Sequence, residues 1–252
     1  MNDKLFALTD GYLGGADARG TYAEYVRIKD DWAARVPEEL PLRLAGGMPL
    51  VALTAWQALA APGALRPGGR MLILGASGSV GHIVTQLAKA RGLKVIAACG
   101  AGSAAAMRDE FGAHETFDYA RGADALRDEY GGGDEAKKID YVLDLVGGPL
   151  VCAAAQCLKP GGHLIHVVNR GDDAAFIERT RKACDTSGGA TFKWHDIFVR
   201  PSGAQLAELA ALFADGTLRL RVAATMPLEQ AAEAHRLVES GHAGGKVILK
   251  VS

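Results

Sequence analysis

A chain of 252 residues with 49% apolar side chains can bury one large core, or one core and a smaller lobe. Its net charge of −1, with basic and acidic residues interspersed, excludes an electrostatic nucleic-acid surface and an acidic disordered tail. The uncharged stretch 44–65 has the length of a bilayer span, but Pro49, Pro62, Gln57 and the pair Gly46-Gly47 favour short buried helices and no membrane span. The first ten residues hold no basic segment followed by an apolar one, so the cytoplasm is the expected compartment. Cys99, Cys152, Cys157 and Cys184 form no C-x-x-C pair and read as small buried hydrophobes, not as disulfides or zinc ligands.

In chain order, residues 1–40 read as short strands and turns, with residues 21–28 (TYAEYVRI) alternating like a strand. Residues 41–61 read as helix, interrupted near Met48-Pro49. From residue 70 the pattern becomes regular. Residues 71–74 are a continuous apolar run, as expected of a parallel strand buried on both faces. After a glycine loop, Val80, Ile83, Val84, Leu87 and Ala88 fall at helical spacing, and Gly92 stops that helix. Strands are predicted at 93–98, 116–118, 139–145 and 164–168. Helices are predicted at 103–111, 124–130 and 149–158. The turn signals LRPGG at 65–69 and LKPGG at 158–162 read as one local solution used twice. Towards the end, 192–199 is β-like, and Leu206, Leu209, Ala210 and Phe213 form a helical stripe. Strand, helix and strand follow at 222–225, 228–239 and 246–251. Alternating strands and helices predict an α/β protein with a doubly wound parallel sheet.

The loop after the first regular strand, Ala76-Ser77-Gly78-Ser79-Val80-Gly81, fits A-x-G-x-x-G, a relaxed dinucleotide fingerprint. Gly78 would let the backbone approach a pyrophosphate, and Gly81 would let helix and strand pack closely. The phosphates would meet free N–H groups at the positive end of a helix. The second strand ends in Ala98-Cys99-Gly100-Ala101-Gly102-Ser103, without the carboxylate that usually accepts from an NAD ribose. That favours NADPH over NADH, with Gly100 and Ser103 beside the 2′-phosphate. No Arg or Lys precedes Arg108 there, so the positive partner is absent or comes from elsewhere.

Six further segments accompany the loop: GTYAEYV at 20–26, LTAWQAL at 53–59, QLAK at 86–89, FGA at 111–113, DLVGG at 144–148 and GHAGGKVIL at 241–249. With these motifs, in this order, the chain resembles the medium-chain dehydrogenase/reductase superfamily, in its zinc-free quinone oxidoreductase and alkenal reductase branch. The resemblance implies a Rossmann domain at 46–215, a partial GroES-like domain at 1–45, and a return to it at 216–252. It places Thr54 near the nicotinamide ribose and phosphate, and Ser103 and Tyr119 at the 2′-phosphate. Val146, His166, Val167 and Val168 would flank the nicotinamide, and Lys246 would approach the cofactor. Thr54 also reads as a plain helix residue, Tyr119 as a packed aromatic and Lys246 as a surface charge. Relatives begin with a further N-terminal stretch, so this chain is expected to start inside the catalytic domain near Lys4-Leu5-Phe6-Ala7.

No G-H-E ligand motif or four-cysteine lobe is present, so no zinc is expected. His163 and His166, three apart on a strand, should point to opposite faces. No G-x-S-x-G elbow occurs, and the Tyr25–Lys29 spacing precedes the glycine loop, unlike the pair used by short-chain reductases. The expected function is zinc-independent hydride transfer from NADPH to a quinone or α,β-unsaturated carbonyl, in a homodimer paired along 192–199. No catalytic residue is assigned. The alternative is a nucleotide-binding fragment or sensor without catalysis.

Overall fold

The computed structural model describes residues 3–9, 20–167, 174–185, 191–241 and 243–251. The chain forms two compact units, the first of residues 1–54 with 199–252 and the second of residues 55–198. Among the described residues no helix is long and apolar enough to cross a membrane.

In the first unit, β1 (Leu5–Ala7) pairs antiparallel with β2 (Ala33–Arg35), Phe6 opposite Ala34. The helical stretch opens with α1 (Leu42–Gly47) and continues as α2 (Pro49–Ala60); Met48 keeps helical angles, and the break falls there because Pro49 has no N–H to bond back. The boundary between the units lies inside α2.

The second unit is a six-stranded parallel sheet in the order β5-β4-β3-β6-β7-β8. Its left half is β3 (Arg70–Leu74), α3 (Gly81–Ala90), β4 (Lys94–Cys99), α4 (Ala104–Asp109), β5 (Glu115–Asp118) and α5 (Gly122–Tyr130). Its right half is β6 (Ile139–Asp144), α6 (Pro149–Gln156), β7 (Leu158–Val167), α7 (Ala174–Asp185) and β8 (Lys193–Ile197). One face buries Leu72, Ile96, Phe117, Val142 and Leu164 against Leu126, Tyr130, Val151 and Ala154 of α5 and α6. Burial on both faces explains the unbroken apolar runs at 71–74 in β3 and 95–99 in β4. The sheet order reverses between β3 and β6, which opens a crevice beyond their carboxyl ends.

After the sheet the chain returns to the first unit as α8 (Gly203–Ala214), β9 (Val222–Pro227), α9 (Ala231–Glu239) and β10 (Lys246–Lys250). The α8 stripe of Leu206, Leu209, Ala210 and Phe213 is buried. β9 and β10 pair in parallel.

Three expectations change. Residues 21–28 form no strand; residues 21–27 are exposed, Tyr25 by 90%, and alternation alone makes no strand where no neighbouring edge among the described residues pairs with it. Helix α7 is additional to the predicted elements. Its solvent face carries a Glu178–Lys182 pair at one-turn spacing, which supports a helix without much apolar signal. Cys152 on α6 and Cys184 on α7 form a disulfide, with Cα atoms 4.5 Å apart, whereas Cys99 and Cys157 are free and buried. The pairing is invisible until α7 is placed.

The paired LRPGG and LKPGG turns share one anchor. Asp140 at the start of β6 accepts from Arg66 (2.5 Å), Lys159 (3.1 Å) and the backbone N–H of Arg70 (2.8 Å). The second turn lies within β7: partners jump from Leu158 to His163, with Gly161 at positive φ in the bulge. Asp140→Ala leaves the Arg70 N–H without its carboxylate and should cost about 2 kcal/mol in urea unfolding. A change under about 0.5 kcal/mol would show that the anchor contributes nothing.

Candidate functional site

The crevice is built from backbone first. Gly75 leaves β3 at φ +80°, a conformation that favours glycine. The Ala76 N–H donates to Ala98 O (3.0 Å), which ties the loop to β4. A Cβ on Gly81 would meet Gly75 O and lie 2.6 Å from Ala76 Cα, so only glycine allows this packing. A Cβ on Gly78 would meet only Gly75 O, at 3.3 Å, and otherwise open space. Gly78 O accepts from both His82 N (3.1 Å) and His82 Nδ1 (2.8 Å), which fixes the loop to the first turn of α3.

The N-terminus of α3 carries no side-chain cap, because its capping residue is Val80, and no acid lies in its first turn. Its opening N–H groups therefore keep their positive field facing the loop, where Ser77 and Ser79 supply hydroxyls. This is the arrangement that accepts a phosphate.

Gly100 ends the adjacent strand. A Cβ there would touch Tyr119 Oη at 3.3 Å, so the half-exposed Tyr119 ring lies over Gly100. Ser103 closes the short turn that follows, its N–H donating to Gly100 O. Two charges lie nearby: Asp118, which the sequence reading passed over, and Arg108, which it named only as the first basic residue after the strand. Asp118 pairs in register with Cys99, and burial together with Asp118 raises the Cys99 thiol pKa. Arg108 partly offsets that rise and donates to Thr116 Oγ1 (2.7 Å). Strand register, which sets these proximities, has no local sequence signal.

On the other side of the crevice, Asp144 and His166 face each other from β6 and β7, both buried, with His166 Nδ1 3.0 Å from Asp144 Oδ2. Asp144 Oδ1 accepts from the N–H groups of Val146 (3.0 Å) and Gly147 (2.8 Å). Val146 is exposed and leans over Gly75: its Cγ2 would lie 2.7 Å from a Cβ there. Val167 ends β7 half-buried, and Val168 lies outside the described residues. His163 points to the opposite face, as expected, with Nδ1 2.9 Å from His195 Nε2.

Thr54 and Lys246 belong to the other unit. Thr54 is buried, and its hydroxyl donates to Leu50 O (2.6 Å) within α2. Burial lowers the pKa of the Lys246 ammonium at the start of β10. The described residues contain no group of three or more His, Cys, Asp or Glu side chains placed to hold a metal.

Gly81→Ala forces backbone apart and should cost about 2–3 kcal/mol. Gly78→Ala meets only Gly75 O, at 3.3 Å, which a shift of a few tenths of an ångström relieves, and should leave the melting temperature within a few degrees of the parent. Equal losses in thermal unfolding would contradict this reading of the loop.

Comparison with known proteins agrees with this architecture. The sequence model of the zinc-binding dehydrogenase family matches residues 111–249. The mouse protein named NAD(P)H oxidoreductase RTN4IP1, mitochondrial, is 32% identical over 92% of this chain and 62% of its own length. Pig quinone oxidoreductase is 31% identical over 91% of this chain and 69% of its own. The structure of the quinone oxidoreductase from Coxiella burnetii superposes with a TM-score of 0.83 at 28% identity, covering 99% of this chain and 72% of that one. The chain thus spans about 62% of the length of the RTN4IP1 relatives it matches. By sequence and by fold, the chain belongs to the zinc-binding dehydrogenase family, within the medium-chain dehydrogenase/reductase superfamily.

Proposed function

We propose that the chain is an oxidoreductase that holds NADPH in the crevice between β3 and β6 and reduces a quinone or an α,β-unsaturated carbonyl without zinc. The observation that carries this reading is the N-terminus of α3, without a side-chain cap, behind a loop in which Gly78 has one close neighbour, Gly75 O, and Gly81 admits close packing. The residues present fit a dinucleotide. Ala76, Ser77, Gly78, Ser79, Val80 and Gly81 would hold the pyrophosphate by N–H groups, hydroxyls and helix dipole.

Gly100, Ser103 and Tyr119 would hold the adenosine end. Arg108, which donates to Thr116 Oγ1 and whose charge is felt at Cys99, would be the cation available to a 2′-phosphate. Val146, His166, Val167 and Val168 would flank the nicotinamide. The desolvated Lys246 ammonium is favoured by an anionic partner, and Thr54 would sit near the nicotinamide ribose. When bound, the cofactor supplies a hydride; the protein's part is to align it with an acceptor carbon and exclude water. We further propose that residues 1–45 and 216–252 are a partial GroES-like domain, and that the edge strand β8 pairs across a twofold axis in a homodimer.

The test is NADPH oxidation followed at 340 nm with a panel of quinones and α,β-unsaturated ketones and aldehydes. Turnover with at least one acceptor, unaffected by a zinc chelator, is expected. Cofactor binding without turnover on the whole panel would replace this proposal by the reading of a nucleotide-binding module.

A further inference from the structure

Asp144 sits where the sheet order reverses, at the carboxyl end of β6, and it spends its whole carboxylate on local geometry. One oxygen accepts from two successive N–H groups, Val146 and Gly147, of the loop that leaves β6. The other faces His166 Nδ1 on the neighbouring strand β7. A carboxylate only accepts, so His166 must donate from Nδ1, which fixes its tautomer when neutral. Both side chains are fully buried, where such bonds are strong and costly to lose.

Apart from that carboxylate the loop is tied by long backbone bonds, among them Val151 N–H to Gly148 O at 3.3 Å. Gly147 and Gly148 are both at positive φ, near +75°, and no side chain of theirs anchors it. Besides Asp144, the Leu145 N–H reaches Leu74 O at a long 3.3 Å. The loop carries two apolar side chains, the half-buried Leu145 and Val146, which is 63% exposed and packs across Gly75 at the mouth of the crevice. A buried acid that fixes an exposed apolar wall at the switch point does more than fill the core.

We propose that Asp144, itself oriented by His166, is a positioning residue: it locks the 145–148 loop so that Val146 forms a fixed wall of the nicotinamide pocket. The inference rests on the NADPH reading above. It assigns Asp144 no contact with the cofactor; its effect passes through the loop.

Two variants separate this role from general support. In Asp144→Asn the amide oxygen still accepts from Val146 and Gly147, while its NH2 faces His166 and reverses the histidine tautomer. In Asp144→Ala the loop bonds are lost. The readouts are NADPH affinity by calorimetry and amide hydrogen exchange of the cofactor-free protein. Asp144→Ala is expected to weaken NADPH binding at least tenfold and to speed exchange at Val146 and Gly147 by a similar factor, with β4 and β5 protection unchanged. Asp144→Asn should stay within about threefold of the parent in both. Wild-type affinity and loop exchange in Asp144→Ala would overturn the proposal, as would loss of protection across the whole sheet in that variant. Should the parent chain not bind NADPH, the cofactor reading fails and the pocket role with it, while the exchange data still decide whether Asp144 locks the loop.

Discussion

The turn between β3 and α3 closes until no side chain fits at Gly81, and much of the candidate site follows from that contact. Close packing brings the start of α3 up to the end of a strand buried on both faces. The helix arrives without a side-chain cap, so the positive end of its dipole is directed at the crevice. His82 then fixes the loop from within the first turn. An anion bound there would gain from geometry that folding has already set in place.

The sheet supplies the other side of the crevice by the same economy of parts. β3 and β6 are neighbours, and beyond them the chain runs in opposite directions. The β3 loop is shaped by glycines and the β6 loop by a buried carboxylate. At the far end of the strands Asp140 gathers Arg66, Lys159 and the Arg70 N–H, so both ends of β6 carry an acid used for backbone placement. Acids at the two ends differ in consequence: Asp140 holds turns away from the crevice, and Asp144 holds one that borders it.

Much of the fold was legible because buried parallel strands write apolar runs, as in 71–74 and 95–99, and because glycine spacing marks the βα turn. Helix α7 was not, since its described side chains are largely exposed and charged, and the Cys152–Cys184 disulfide stayed hidden with it. Residues 21–28 alternate like a strand yet stay exposed, because pairing depends on a partner that local pattern does not encode. At the site, the glycine loop was legible as a motif. The Asp144–His166 pair and the Asp118–Cys99–Arg108 neighbourhood were not, because they join residues brought together only by strand register. Family resemblance reached Val146 and Tyr119; it took the structure to place the first over Gly75 and the second over Gly100.

The most direct test is a calorimetric titration of NADPH, and separately NADH, into the 252-residue chain and its Gly78→Ala variant, with no acceptor present. The account predicts one site per chain in the parent, NADPH bound more tightly than NADH, and binding at least tenfold weaker in a variant that remains folded. Absence of binding of either nucleotide, or equal affinity in the variant, would contradict it.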